Sequence, residues 1–317
     1  MDDARAIRLI WALIALLALA SVVSIVVLGV GFKLRDSLVA AAVAAGLIGV
    51  AAFYRRRRPD ARIERLLRGN AELFLLSFLC GGLSYAAAAL DRPLWDATFQ
   101  AWDEVLGFDW RFWLAVLDAH PSVHVVLATA YHSMLPQLGV IVIALATARA
   151  FAEIDRFLVA FGLAALVTVA IAALMPALSP LVHLGITAAD HPHITLAVPT
   201  EFADHALALR NGTLRMVDLS GAQGLVTFPS FHTASAVLLA LGFWHVPWLR
   251  WPALVLNGLM LAAVPIEGSH YLVDLLAGTA VALAAWAGAG AALRRPDPAR
   301  LPSVASALVP SGSAHAD

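Results

Sequence analysis

Two histidines and one aspartate carry the chemistry that this sequence offers. His270 and Asp274 stand four residues apart in Gly268-Ser269-His270-Tyr271-Leu272-Val273-Asp274, at the head of a long apolar run. In a helix that spacing puts both side chains on one face, within reach of each other. A carboxylate so placed accepts the proton of one imidazole nitrogen, fixes the tautomer and raises the basicity of the other nitrogen. That leaves a nucleophilic nitrogen facing whatever occupies the adjoining space. A structural ion pair at a helix end is the bland alternative, but an Asp at a membrane boundary is expensive unless it has a task or a partner.

His232 follows Phe228-Pro229-Ser230-Phe231, at the start of another apolar run. Free N–H groups and the helix dipole favour an anion at such a start, and Ser230 adds a hydroxyl donor. A phosphate held there would sit beside His232, which could protonate a leaving oxygen as general acid. The alternative is a capping serine and an interfacial histidine. Between Phe231 and Glu267 the only charge is Arg250. That length suffices for one helix across a bilayer and one back, so His232 and His270 are expected on the same side at similar depth.

Composition defines what must position these residues. The chain is 61% hydrophobic and 14% charged, with a mean hydropathy of +0.81. So few charges cannot cover a soluble surface, which implies an integral membrane protein. A net charge of -1 gives no sign of a nucleic-acid partner. The single cysteine, Cys80, lies in an apolar run and supports neither a disulfide framework nor a Cys-based metal site.

Apolar stretches predict eight crossings, at 8–32, 37–54, 71–90, 123–148, 157–178, 231–248, 251–267 and 271–293. Ala18-Leu19-Ala20 resembles a signal-peptidase site, but the apolar run continues past it, so an uncleaved anchor is the expectation. Residues 91–122, with Trp95, Trp102, Trp110 and Trp113, read as an amphipathic segment in the interface. The run Arg55-Arg56-Arg57-Arg58, followed by Arg62, Arg65 and Arg68, is the strongest positive-inside signal. With that loop in the cytoplasm, 15 of the 21 Lys and Arg fall inside and six fall outside: Lys33, Arg35, Arg92, Arg111, Arg210 and Arg215. Both termini are then cytoplasmic, and His232, His270 and the long 179–227 loop lie on the non-cytoplasmic face. The expected organisation is residues 1–69 as two added helices and a basic loop, 70–293 as a six-helix catalytic domain, and 294–317 as a disordered tail.

Pro-Ser-Phe-His, then 37 residues, then His-x-x-x-Asp, each opening a membrane helix on one side, resembles the type 2 phosphatidic acid phosphatase superfamily. The second motif, His270-Tyr271-Leu272-Val273-Asp274-Leu275-Leu276-Ala277-Gly278, is most similar to the inositol phosphorylceramide synthase-like branch. The resemblance implies an all-α polytopic bundle with a six-helix core over roughly 71–293. It implies His270 as the residue that attacks phosphorus and becomes a phosphohistidine, Asp274 as its orienting partner, His232 as the acid for the leaving group, and Ser230 as a phosphate ligand. No metal or other cofactor is implied, because basic residues and backbone dipoles carry the anion's charge. The implied partner is a lipid phosphate or phospholipid, handled among membrane lipids at the outer face of a bacterial cytoplasmic membrane.

The chain departs from the phosphatase pattern in three ways. Its single lysine, Lys33, is in the wrong place for the earlier Lys-Arg-Pro motif. Val264 stands where an arginine would precede the second histidine, and Phe231 replaces the glycine between Ser230 and His232. Arg210, then Arg215, are the expected substitutes for the missing phosphate ligands, with solvated loop charges as the alternative. The missing arginines favour the transferase-like branch. Tyr131, His132, Ser133 and Gln137 either line the head-group pocket or satisfy one another between helices. The segment 175–180 is expected at the pocket wall. His183, His191 and His193 lack the spacing of a metal site and read as surface residues. Glu267 either tunes His270 or faces water. The competing function is a transporter whose Tyr-His-Ser-Gln cluster and outer histidines form a proton or ion path, although the sequence shows no repeat symmetry.

Overall fold

The computed structural model describes residues 4–198, 201–218 and 224–294. All but Arg294 of the tail expected to be disordered lies outside the described residues. The architecture is all-α, as expected. In chain order the helices are α1 (Ala4–Leu28), α2 (Leu34–Arg56), α3 (Ala61–Ala88), α4 (Asp96–Val105), α5 (Trp110–Asp118), α6 (Pro121–His132), α7 (Met134–Thr147), α8 (Phe151–Leu174), α9 (Pro180–His183), α10 (Glu201–Arg210), α11 (Phe231–Phe243), α12 (Arg250–Glu267) and α13 (Leu272–Leu293).

Helix α8 is the central post. It packs against α13, α3, α1, α11 and α7. Phe157, Leu158 and Phe161 of α8 meet Leu73 and Leu76 of α3, Ile141 and Leu145 of α7, and Leu238 and Leu239 of α11 in one continuous core. Close packing of this kind, more than any hydrophobic drive, associates helices in lipid. The outward faces of α1 and α2 carry exposed Leu19, Val26, Val27, Leu34 and Leu38, surface that lipid suits and water does not.

Each of the eight stretches expected to cross holds a helix. Among the described residues, α1, α2, α3, α8 and α13 are long and apolar enough to span a membrane by themselves. Helices α5 and α6, bent by 112° at their junction, make a sixth if the pair is one span. The bend has a local cause. Pro121 opens α6, and a residue before proline is steered out of the helical region; His120 adopts φ -130°, ψ 67°.

The stretch 123–148 is also not one helix. α6 stops at His132 and α7 restarts at Met134, because Pro136 has no N–H for the His132 carbonyl and its ring crowds that oxygen. Helices α7 and α11, with 14 and 13 residues, are each about 20 Å long at ~1.5 Å per residue. That is shorter than the ~30 Å hydrocarbon layer.

The basic loop is shorter than its charge pattern suggests. Asp60 caps α3 by accepting from the N–H groups of Arg62 and Ile63, at 2.9 and 3.2 Å. Arg62, Arg65 and Arg68 therefore belong to the helix. Arg65 is buried against Asp155 of α8, and Arg68 pairs with Glu64 at 3.2 Å. Arg65 thus ties α3 to α8, while Arg68 pairs within its own helix.

Two contacts register the ends of the bundle. Gly31–Phe32 pairs in parallel with Met216–Val217, and Lys33 reaches Asp218 at 2.7 Å. The turn between α1 and α2 thus meets the long loop before α11. At the opposite end the Arg5 guanidinium donates to the Arg294 carbonyl at 3.2 Å. Segments assigned to one side by charge are together in space.

Candidate active site

The site is built where α12 ends, α13 begins and α11 begins. Gly268 caps α12, and Ser269 then takes a left-handed conformation (φ 51°) that turns the chain back into α13. A side chain in that region costs about 1–2 kcal/mol. The strain is held by contacts on both sides: Ser269 Oγ accepts from the Leu181 N–H at 3.2 Å, and the His270 N–H donates to Pro265 O at 2.9 Å.

His270 is thereby presented at the head of α13 with Asp274 one turn below it. Asp274 Oδ2 lies 3.0 Å from His270 Nδ1 and also accepts the Tyr271 N–H at 2.9 Å. Both side chains are buried. With Nδ1–H donated to the carboxylate, Nε2 keeps its lone pair, and it lies 3.4 Å from Ser230 Oγ. Burial lowers the His270 imidazole to about 4, against a backbone contact with Thr227 that raises it. The ring is therefore neutral near pH 7.

Ser230 caps α11 by accepting the Thr233 N–H at 3.2 Å. Its own N–H donates to the Asp274 carbonyl at 3.0 Å, which binds the start of α11 to the first turn of α13. His232, on that first turn of α11, stacks face to face on Tyr131, with ring centroids 4.2 Å apart and planes 8° from parallel. The 3.5 Å between Tyr131 Oη and His232 Nδ1 is too long to add much of a hydrogen bond, so stacking sets the ring.

Gly278 makes this approach possible. A Cβ there would stand 2.4 Å from the Ser230 carbonyl oxygen and 3.1 Å from Thr233 Cβ. Gly278→Ala is expected to push the Ser230 loop away from His270. Overpacking of this sort costs about 1–3 kcal/mol of stability, and turnover should fall further than the loss of folded protein accounts for. Thermal unfolding and steady-state rates on the same preparation separate the two.

His232 and His270 open on one cavity of about 250 Å³, with Tyr131, His132, Ser179 and Thr227 also in its wall. Small-molecule pockets run ~300–1,000 Å³, so the space suits a head group and not acyl chains. At α13 the N-terminal N–H groups are already spoken for. Tyr271 donates to Asp274, and Leu272 and Val273 donate to Asp103 at 2.7 and 3.0 Å. At α11, Ser230 takes only Thr233; the N–H groups of Phe231 and His232 meet no acceptor among the described residues.

Sequence reasoning missed the two carboxylates that brace this arrangement. Asp96 and Asp103 lie on the buried face of α4 with Phe99 between them. Asp96 accepts from the N–H groups of Leu178 and Ser179 and from the Tyr271 hydroxyl, at 3.0–3.1 Å. Asp103 holds the head of α13. Burial raises the Asp103 carboxyl and its two backbone N–H partners pull it down. The signal was available: Asp96, Phe99 and Asp103 share one helical face of a short segment, at spacings of three and seven.

The other candidates divide. Tyr131 and His132 line the cavity, whereas Ser133 and Gln137 bond to each other at 2.9 Å and on to Asn257 of α12 at 2.8 Å. Residues 175–180 do form part of the wall, through Ser179. Glu267 does not face water. It is fully buried, 2.6 Å from His124 Nδ1, and it accepts the Ala197 N–H at 3.2 Å beside the cavity wall. His193 pairs with Asp118 at 2.8 Å and His191 with the Ile194 carbonyl at 3.1 Å. No group of three or more His, Cys, Asp and Glu among the described residues is placed to hold a metal ion. The structure does not bring Arg210 or Arg215 to His270. Arg210 pairs with Asp91 at 2.9 Å and with the Arg92 carbonyl, and Arg215 folds back towards the Leu209 carbonyl.

A family model described as the PAP2 superfamily matches residues 97–288, more than half of the chain. The chain belongs to the PAP2 superfamily. PAP2 superfamily members are phosphoesterases, which makes this a phosphatase-type enzyme whose substrate class is a lipid phosphate. The match runs from α4 into α13 and contains Ser230, His232, His270 and Asp274; α1, α2 and α3 precede it. Comparison with curated proteins and with solved structures found no match.

Proposed function

We propose that this protein cleaves a phosphoester of a membrane lipid through a phosphohistidine at His270, with no metal ion taking part. The observation that carries the reading is the His270–Asp274 pair. Nδ1 is fixed on the carboxylate, and Nε2 is left as the open nitrogen beside Ser230, in a cavity shared with His232.

The steps follow from those positions. The substrate phosphate sits at the start of α11, taking hydrogen bonds from the N–H groups of Phe231 and His232 and from the Ser230 hydroxyl. The lone pair of His270 Nε2 attacks phosphorus, and the bond from phosphorus to the ester oxygen breaks. His232 gives its proton to that oxygen, so the alcohol leaves neutral. Asp274 stabilises the cationic ring formed at His270. A second hydroxyl, from water or from a lipid or polyol, then loses its proton to His232 and attacks phosphorus. The N–P bond breaks and both histidines return to their starting states.

The motif that contains Gly278, together with the missing phosphatase arginines, favours the inositol phosphorylceramide synthase-like branch, in which the second hydroxyl belongs to a lipid or polyol. The asymmetry of 15 inner and six outer cations favours eight crossings, with the site on the non-cytoplasmic face of a bacterial cytoplasmic membrane. We take residues 70–293 as the catalytic unit and residues 1–69 as an addition to it; the boundary falls inside α3, which packs on α7 and α8.

The test is phosphate release from short-chain phosphatidic acid by purified protein in detergent, between about pH 5 and 8 where histidines change charge. Parallel reactions contain phosphatidylinositol with a diacylglycerol or ceramide acceptor. Metal-independent phosphate release supports the hydrolase. A new phospholipid that needs both donor and acceptor supports the transferase. Folded protein that does neither contradicts the reading.

A further inference from the structure

The cavity has a charge problem. A phosphate group brings up to two negative charges, yet no lysine or arginine lines the space around His232 and His270 among the described residues. The adjoining stretches outside the described residues, 199–200 and 219–223, contain neither Lys nor Arg. None of the six cations assigned to the outer side is in the wall. Four of them have other partners: Lys33 with Asp218, Arg111 with the Leu184 carbonyl, Arg210 with Asp91, and Arg215 with the Leu209 carbonyl. Among the described residues, the only side chains in the wall able to become cations are histidines: His132, His232 and His270.

Two of these have other duties. His270 must be neutral to attack, and His232 must give up its proton during the reaction. His132 has no such task. It ends α6 at the break forced by Pro136, level with the start of α11, because its neighbour Tyr131 stacks on His232. Its ring meets Tyr131 edge to face at 5.8 Å, and no hydrogen bond ties it to another element among the described residues.

We propose that His132 is the cation of this site, an imidazolium that balances the phosphate charge in place of an arginine or lysine. The inference rests on the phosphoester reading above. The titratable groups around it are His232 of α11, Glu267 of α12, and Tyr131 and His270 in the same wall. Glu267 spends its carboxylate on His124 and the Ala197 N–H. Met134 and Leu135 of α7 and Ala197 and Val198 of the outer loop bring no charge to the wall. The charge that faces His132 in the occupied site is that of the bound dianion, so anion and proton bind together.

Sulfate is a suitable probe, because it matches phosphate in shape and keeps its double charge across the titration range of histidine. Binding is read by calorimetry on the detergent-solubilised full chain, wild type, His132→Gln and His132→Lys, at about pH 6 and pH 8.5, either side of the usual histidine range. At the lower pH, His132→Gln should weaken sulfate binding about tenfold or more, as expected for loss of a charge-assisted contact. At the higher pH, His132→Lys should bind at least about tenfold more tightly than wild type, a gain that misfolding cannot produce. Equal sulfate affinity of wild type and His132→Gln at the lower pH overturns the proposal. So does the absence of any gain in His132→Lys, or of sulfate binding to wild type. Because sulfate binding needs no turnover, protein that binds sulfate as described and cleaves no phosphoester would remove the reaction and leave the His132 assignment standing.

Discussion

His270→Ala is expected to reduce turnover by at least ~10³-fold, with substrate affinity changed little. Removing a nucleophile deletes the step in which the bond to phosphorus forms, and what remains is catalysis by binding and positioning. A thousandfold loss corresponds to about 4 kcal/mol of transition-state stabilisation. The substitution leaves Ser230, His232 and the start of α11 in place, so the site that receives the anion should survive. Rate and inhibitor affinity, measured on protein whose thermal unfolding matches the wild type, check both halves. A His270→Ala enzyme that retains a tenth of the wild-type rate would be incompatible with a covalent role for His270.

His232→Asn should be the second most damaging change, and its signature is a dependence on the leaving group. General acid catalysis contributes ~10²–10⁴-fold when the departing oxygen is a poor leaving group. A lipid alcohol is one, and needs a proton as the ester bond breaks. An aryl oxygen such as p-nitrophenolate leaves without help. The variant should therefore lose most of its activity on a lipid phosphate and much less on p-nitrophenyl phosphate. Asparagine also keeps a planar group to rest on Tyr131, which preserves the stacked wall. An equal loss on both substrates would show that His232 shapes the site and does not deliver the proton.

The candidate site residues were legible because their pairing is encoded over short distances. The i, i+4 pairing of His270 with Asp274 and the Ser230 cap of α11 follow from local spacing, and the structure shows both as hydrogen bonds. The convergence of the two motifs followed from the length of the apolar stretch between them. Braces that depend on tertiary neighbours were not legible. Asp96 and Asp103 read as polar residues of an interfacial segment until α4 is seen against the head of α13.

Helix boundaries failed where charge or apolarity was given more weight than backbone chemistry. Pro136 marked the break after His132, and Asp60 marked the cap that draws Arg62, Arg65 and Arg68 into α3. Glu267 was ambiguous from sequence because its partners, His124 and the Ala197 N–H, are far away along the chain. The same is true of Arg210, whose nearest anion is Asp91 on the far side of the α4–α9 region in sequence.

The measurement that tests the central claim most directly is the capture of phosphate on His270. Purified protein is mixed with a phosphorus-labelled lipid phosphate, quenched in alkali within the first turnovers, and digested for peptide mass spectrometry. The account predicts label on the peptide that carries His270, stable to base and lost in acid as a phosphoramidate is, and absent from His270→Ala. Turnover of the substrate with no label on His270, or label that persists in His270→Ala, would contradict it.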